Sequence, residues 1–294
     1  MTKVHLLDAT YELFRAHYAP GRPELSAPDG QPVKATVGVL ESVLSLFREG
    51  VTHLGAASDH IIESWRNTRW PGYKTGLGVD PALKSQFGLA EEGLRAMGVA
   101  VWPMVEWEAD DALGTAAVRW ADDPVVEKVV VLTPDKDMAQ LVREDGRVVQ
   151  YDRRKREFMD ADGVRARFGV SPESIPDFLA LVGDSADGYP GIPGWGKLSA
   201  AAVLRRYPHL EDIPDSVARW DLSVRGAPTL AAALRDHREL AMLFRELARL
   251  VTDVPLAEKL DDLRWRGAPR AEFTAMAERL GQPQLVQRVH RWQN

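Results

Sequence analysis

The stretch "VAVWPMVEWEADDALGTAA" (99–117) runs from aliphatic residues into three carboxylates and then into alanine-rich sequence. Residues 99–105 have the composition of a short buried strand, and "DDALGTAAVRWADD" (110–123) that of a helix. Glu108, Asp110 and Asp111 stand at the junction. Taken alone they read as a helix cap, because acids in a first turn accept hydrogen bonds from free backbone N–H groups and complement the helix dipole.

The same unit recurs along the chain. Strand-like runs at "KVHLL" (3–7), "HLGAAS" (53–58), "KVVVL" (128–132) and "RVVQY" (147–151) alternate with helical patterns over 33–50, 81–98 and 135–142. That alternation predicts an α/β region with a mostly parallel sheet. From about residue 171 the pattern is helical, with "PESIPDFLALVGD" (172–184), a Gly/Pro-rich turn, "LSAAAVLRRY" (198–207) and one long run over 229–250. Acids follow each of the first strands: Asp8, then Asp59, then Glu108 with Asp110 and Asp111, then Asp135 with Asp137. Open parallel sheets bind ligands beyond the carboxyl ends of their strands, so these acids are expected to converge on one crevice. Carboxylates crowded there repel by several kcal/mol at an effective dielectric constant of about 20 unless cations sit among them.

Composition narrows the chemistry. The 294 residues contain no Cys, which excludes disulfides, thiolate nucleophiles and Cys-bound zinc. No apolar run approaches the roughly 20 residues of a membrane span, and "MTKVHLLDAT" (1–10) reads as a strand, not a signal peptide, so a cytoplasmic protein without a membrane partner is expected. The net charge of −6 is unevenly spread. Basic residues gather in "SWRNTRWPGYK" (64–74), "YDRRKREF" (151–158) and "LRRYPH" (204–209), so a basic surface can coexist with an acidic site.

Oxygen donors without nearby His or Cys select magnesium or manganese over zinc or copper. More carboxylates than one octahedral ion uses predict two metal positions, and a pair about 4 Å apart suits in-line attack on a phosphodiester. Asp184 and Asp187, in "DFLALVGDSADGYPGIPGWGK" (177–197), add to the set, although acids beside such a turn are also ordinary loop chemistry. Gly191, Gly194 and Gly196 give that turn a bare backbone that can approach a phosphate. Gly191, Gly196 and Lys197 also match most of a phosphate-binding loop pattern, but a helix precedes the turn and Leu198 follows the lysine, so nucleoside triphosphate binding is rejected. Trp65, Arg66, Arg69, Trp70, Tyr73 and Lys74 interleave basic and aromatic side chains, a pattern that suits a nucleic-acid backbone and equally a partly buried surface helix.

With "LLDATYELFRAHYA" (6–19), "EADD" (108–111), "TPDKDMAQLV" (133–142), "DFLALVGDSAD" (177–187), "PGIPGWG" (190–196) and "LVTDVPL" (250–256), the chain resembles the 5′-nuclease family of flap endonucleases and 5′–3′ exonucleases. The resemblance is nearest to the exonuclease domain that begins bacterial DNA polymerase I. It implies a PIN-like mostly parallel central sheet flanked by helices over residues 1–170, with a helical arch at about 60–90. It implies a helical subdomain over 171–294, with a helix–three-turn–helix motif at about 177–207. The metal acids carried over are Asp8, Asp59, Glu108, Asp110, Asp111, Asp135, Asp137, Asp184 and Asp187. By resemblance, one ion lies with Asp8, Asp59 and Glu108, a second with Asp135, Asp137, Asp184 and Asp187, and Asp110 and Asp111 lie between. Arg15, Arg66, Tyr73 and Lys74 match positions around the scissile phosphate, Arg66 and Lys74 with catalytic roles. Gly191, Gly194, Gly196 and Lys197 match the duplex-gripping turn, which in relatives surrounds a potassium ion. The implied partner is DNA with a 5′ flap, 5′ end or branch, bound by a monomer working in replication or repair. No polymerase-like sequence follows, so a stand-alone nuclease is expected.

The chain departs from the family pattern at Ala9, Pro134 and Gly188, where Gly, Gly and Asn are usual. It also carries Leu77 and Leu198 where basic residues are usual, with Lys197 displaced by one position. None of these removes a metal acid, so activity with altered substrate preference is expected. A DNA-structure-binding protein with impaired catalysis and a PIN-type ribonuclease are the rival readings. The complete acid set opposes the first and the C-terminal hairpin the second.

Overall fold

Aliphatic runs become strands and amphipathic runs become helices along residues 2–293, the part of the chain that the computed structural model describes. In chain order the first half contains β1 (Thr2–Asp8), α1 (Ala9–His17), α2 (Lys34–Arg48), β2 (His53–Asp59), α3 (Trp65–Arg69), α4 (Pro81–Lys84), α5 (Phe87–Ala96), β3 (Ala100–Met104), α6 (Ala109–Ala121) and β4 (Val126–Leu132). There follow a 3₁₀ turn (Asp137–Leu141), β5 (Val148–Asp152), β6 (Glu157–Met159), α7 (Ala161–Phe168), α8 (Ile175–Val182), α9 (Lys197–Arg206), α10 (Ala227–Asp236) and α11 (Arg238–Ala248). The chain closes with β7 (Ala268–Pro269), α12 (Arg270–Arg279), α13 (Gln284–Gln287) and β8 (Trp292–Gln293).

These elements gather into two units. The first takes the chain up to Ile62, Gly76–Thr133 and the stretch from Thr252 onward; the second takes Glu63–Thr75 and Pro134–Val251. In the first unit β3, β2, β1 and β4 lie side by side, all parallel, with Leu7 level with Ala56 on one side and Leu132 on the other. Val4, Leu6, Leu7 and Val129 are fully buried, as expected of parallel strands covered on both faces. Trp265 returns to this unit, stacking on Phe47 at 3.9 Å and donating its indole N–H to the Met97 carbonyl at 2.9 Å.

Two helices expected from sequence are each divided in the structure. Residues 81–98 form α4 and α5, because the intervening Gln86 is buried and its side-chain oxygen accepts the Ala35 and Thr36 N–H groups at 2.9 and 3.0 Å. That amide caps α2, whose own N-cap, Val33, has no side chain able to do so. Residues 229–250 form α10 and α11, parted at His237, whose ring nitrogen bonds back to the Ala233 carbonyl at 2.9 Å. Arg238 then opens α11 by donating to the carbonyls of Leu210 and Ile213 at 2.7 and 3.0 Å.

In the second unit β5 and β6 pair antiparallel, Tyr151 opposite Phe158, and the helices enclose a core that includes Phe178, Leu181, Tyr189 and Phe244. Within 60–90, the stretch likened to an arch, the helices are the short α3 and α4 and the start of α5. The expected helix at 135–142 is instead the 3₁₀ turn, because the Asp135 carboxylate accepts the Asp137 N–H at 3.0 Å and competes with the α-helical bond.

Candidate metal centre

In the first unit the acids stand at the carboxyl ends of adjacent strands, where donor groups hold them. Asp8 ends β1 and caps α1: one oxygen accepts the Tyr11 N–H at 2.8 Å, the other the Thr133 hydroxyl at 3.0 Å. Asp59 ends β2 and accepts the Ala109 N–H at 2.7 Å, on the first turn of α6. Glu108 precedes α6 and is buried, and Asp111, with no exposed surface, accepts the Glu108 N–H at 3.1 Å. Asp110 is half-buried on the first turn of the same helix. The starts of α1 and α6 thus orient the Asp8, Asp59 and Asp111 carboxylates. The capping role and the metal-ligand role are compatible here, because a carboxylate has lone pairs for both.

The second unit sets cations beside its acids, and Asp184 also accepts the Ala186 N–H at 3.0 Å. Asp137, Asp184 and Asp187 are all buried and each offers an oxygen within 4.8 Å of the others. Lys136 is ion-paired with Asp184, and the Lys74 ammonium lies 3.2 Å from an Asp187 oxygen. Burial, reinforced by Asp135 and Asp187, pushes the Asp137 carboxyl well above its usual range. Burial works against the Lys136 charge, but Asp137 and Asp184 outweigh it and raise the ammonium's pKa. One Asp137 oxygen is buried without a hydrogen-bond partner among the described residues. An all-oxygen trio with an unsatisfied carboxyl oxygen, crowded so that ionisation is resisted, is the donor set a hard divalent cation fits.

The loop that carries Asp184 and Asp187 is shaped by backbone contact. A Cβ on Gly191, whose φ is +75°, would lie 2.4 Å from the Gly183 nitrogen. Gly188 has φ +82°, and a Cβ there would lie 2.0 Å from the Gly72 carbonyl oxygen. The departure from Asn at Gly188 thus has a local cause, close packing against residues 72–73.

The other residues singled out from sequence are placed as follows. Arg15 is ion-paired with Glu12 and donates to the Ser42 hydroxyl at 3.1 Å. Arg66 is 2% exposed and donates to the Leu247 and Arg249 carbonyls at 2.8 and 3.1 Å, tying α3 to the end of α11. Tyr73 is buried in the second unit's core, with the Lys74 ammonium 5.7 Å from its ring centre. Around Gly196 there is open space for a Cβ, Lys197 is exposed at the start of α9, and Leu198 is 90% exposed. Lys136 and Tyr189 were not singled out from sequence. The flanking acids of "DKD" were a signal for Lys136, whereas nothing local marks Tyr189, whose buried hydroxyl has no hydrogen-bond partner among the described residues.

Carboxylates delivered by parallel strand ends, and again in a buried oxygen trio beside lysines, are donor sets suited to hard divalent cations. The family model described as the 5′–3′ exonuclease N-terminal resolvase-like domain matches residues 3–169, and that of the 5′–3′ exonuclease C-terminal SAM fold matches residues 170–271. The chain belongs to the 5′–3′ exonuclease family. It is 36% identical over 279 residues to DNA polymerase I of Pseudomonas aeruginosa, covering 91% of this chain and 29% of that protein. With DNA polymerase I of Bacillus caldotenax it shares 31% identity over 296 residues, 98% of this chain and 32% of the relative. The chain thus spans about a third of these relatives' length. A bacteriophage T5 flap endonuclease, solved as a pseudo-enzyme-product complex with DNA and metal ions, has a similar fold, with TM-score 0.67 and 17% identity over 95% of this chain and all of that one. The resemblance to 5′-nucleases and the expected mostly parallel sheet flanked by helices are borne out.

Proposed function

We propose that this chain hydrolyses DNA phosphodiesters at 5′ flaps and 5′ ends, using two magnesium or manganese ions, in replication or repair. The observation that carries the reading is the buried trio Asp137, Asp184 and Asp187 with oxygens within 4.8 Å. Family membership supports it, as does the solved T5 relative with DNA and metal ions. One cation would be held by Asp8, Asp59 and Glu108 and another by Asp137, Asp184 and Asp187, with Asp110, Asp111 and Asp135 as further ligands. Cations held there would polarise the phosphate and favour ionisation of an attacking water.

The chain's own residues do the rest. Burial and the neighbouring carboxylates resist ionisation of Asp137, and a cation requires the ionised form, so affinity falls as pH falls. Lys136 and Lys74, engaged with Asp184 and Asp187, become available to the phosphate when those carboxylates turn to a cation. A potassium ion in the turn joining α8 to α9, and a monomeric state, belong to the same proposal and rest on the resemblance. The test is cleavage-site mapping on a 5′-labelled flap, with magnesium and with manganese separately. Products one or a few nucleotides from the flap junction are expected. Retained DNA binding with no product in either metal sinks the nuclease reading.

A further inference from the structure

A cavity of about 690 Å³ opens beside the aspartate trio, within the second unit. The end of α7, the face of α8, the 183–190 loop and the first residue of α9 enclose it. Its size falls in the range of small-ligand sites, roughly 300–1,000 Å³. Two kinds of chemistry meet in its walls. Phe168 and Phe178, set edge to face with centres 6.0 Å apart, belong to an apolar side. Lys136, Arg167 and Lys197 supply three cations against the single carboxylate of Asp184, which Lys136 already neutralises.

Of the cavity's three cations, only Lys136 is held by an acid. Arg165, Arg206 and Arg245 are each ion-paired with a carboxylate, at Glu144, Asp221 and Glu211 respectively. Arg167 and Lys197 have no carboxylate partner among the described residues. The Arg167 guanidinium instead lies 5.0 Å from the Phe168 ring centre, a cation–π contact. A guanidinium backed by an aromatic ring is a surface on which nucleobases stack, and a neighbouring ammonium suits a phosphate. A site with an aromatic and cationic wall, no free acid and one edge on the metal trio fits a base joined to a phosphate.

We propose that this cavity is a subsite for one unpaired nucleotide of the cut strand, its base against Arg167 and Phe168 and its phosphate toward Lys197. The proposal rests on the DNA-cleaving reading and adds to it a place where a nucleotide next to the reacting phosphate is held out of the duplex. Unstacking a base costs a few kcal/mol, and a stacking pocket offsets that cost.

The test uses calorimetric titration of the whole chain, in magnesium, with deoxyadenosine monophosphate and with deoxyribose 5-phosphate. The nucleotide is expected to bind about five- to a hundredfold tighter than the sugar phosphate, the range that stacking of one base provides. Phe168→Leu, which keeps apolar bulk, and the surface change Arg167→Ala should each erase most of that difference, with unchanged circular dichroism. Equal affinity for the two probes, or a difference that survives both changes, overturns the subsite. A second arm places 2-aminopurine beside the cleavage position of a flap, without divalent metal. A fluorescence change on binding that both substitutions diminish supports strand occupancy, and nucleotide binding without such a change overturns it. Flap cleavage is scored separately: cutting without base-dependent binding removes the subsite and leaves the nuclease reading, whereas no cutting removes the nuclease reading itself.

Discussion

The acids of the first unit accept hydrogen bonds at helix starts, whereas those of the second, besides backbone donors, face lysine charges that can leave. Asp8, Asp59 and Asp111 accept backbone N–H groups at the starts of α1 and α6. Asp184 accepts the Ala186 N–H at 3.0 Å but also faces Lys136, Asp187 faces Lys74, and burial with neighbouring acids resists ionisation of Asp137. The difference teaches that one set is fixed largely by the fold, while the other gathers carboxylates whose mutual repulsion a cation would relieve. In the first set, removing a carboxylate should cost fold stability and function together; at Asp137 in the second, function alone.

The largest expected effect is Asp137→Asn, which should lower cleavage by about a thousandfold or more, since a metal contributes several kcal/mol to the transition state. Single-turnover rates in saturating magnesium check it; a loss under tenfold would remove Asp137 from the metal ligands. Gly188→Asn restores the residue usual in relatives but drives a Cβ into the Gly72 carbonyl. It should cost about 2–4 kcal/mol in urea unfolding, and a neutral result would show that the loop carrying the trio yields easily. Asp111→Ala and Asp137→Asn then break the comparison directly, by unfolding in a chelator. The first should lose about 1–2 kcal/mol, because it strips an acceptor from a buried N–H. The second should gain stability at neutral pH, because a neutral amide replaces a carboxyl whose ionisation the fold resists. The same sign for both would erase the distinction.

Acid titration should separate the units by a smaller margin. Burial holds His5, on β1, down at about 4 against 6.5 unfolded. The unfolded chain binds that proton first, so stability falls as pH drops from about 6.5 through about 4. In the second unit the Arg245 guanidinium holds Glu211 at about 2 against 4.5, and that contribution is full above 4.5 and lost as pH falls through about 2. Fluorescence-detected unfolding across pH, with His5→Gln and Glu211→Gln, should show each substitution flattening its own window. The smallest expected effect is Leu198→Lys. At 90% exposure the change costs the fold nothing measurable, and it should steepen the salt dependence of duplex binding by about one phosphate contact. An unchanged slope places the duplex away from the start of α9.

Much of this was legible in the chain. Parallel strands buried on both faces appear as unbroken aliphatic runs, so β1, β2, β3 and β4 could be marked from composition, and the acids after them by adjacency. The breaks at Gln86 and His237 could not, because each goes with distant partners: the start of α2, fifty residues away, for the first, and the Leu210 and Ile213 carbonyls that take Arg238 for the second. Arg66 stood out as a basic residue among aromatics, yet what its guanidinium meets on α11 is set by a contact 181 residues distant.

The sequence by itself determined the oxygen-only donor set, the absence of thiol chemistry, the α/β alternation and the family, since these follow from residue identity and local spacing. Tertiary structure alone decided how each acid is held. "VEWEADD" supplies acids to a helix start whichever fold it enters, but only the packing of β2 against β3 brings Asp59 onto the Ala109 N–H. Only the return of the 183–190 loop sets Asp184 and Asp187 around Asp137. Burial and charge repulsion act over distances of a few ångströms in space, whatever the separation along the chain, and so they enter only when the chain is folded.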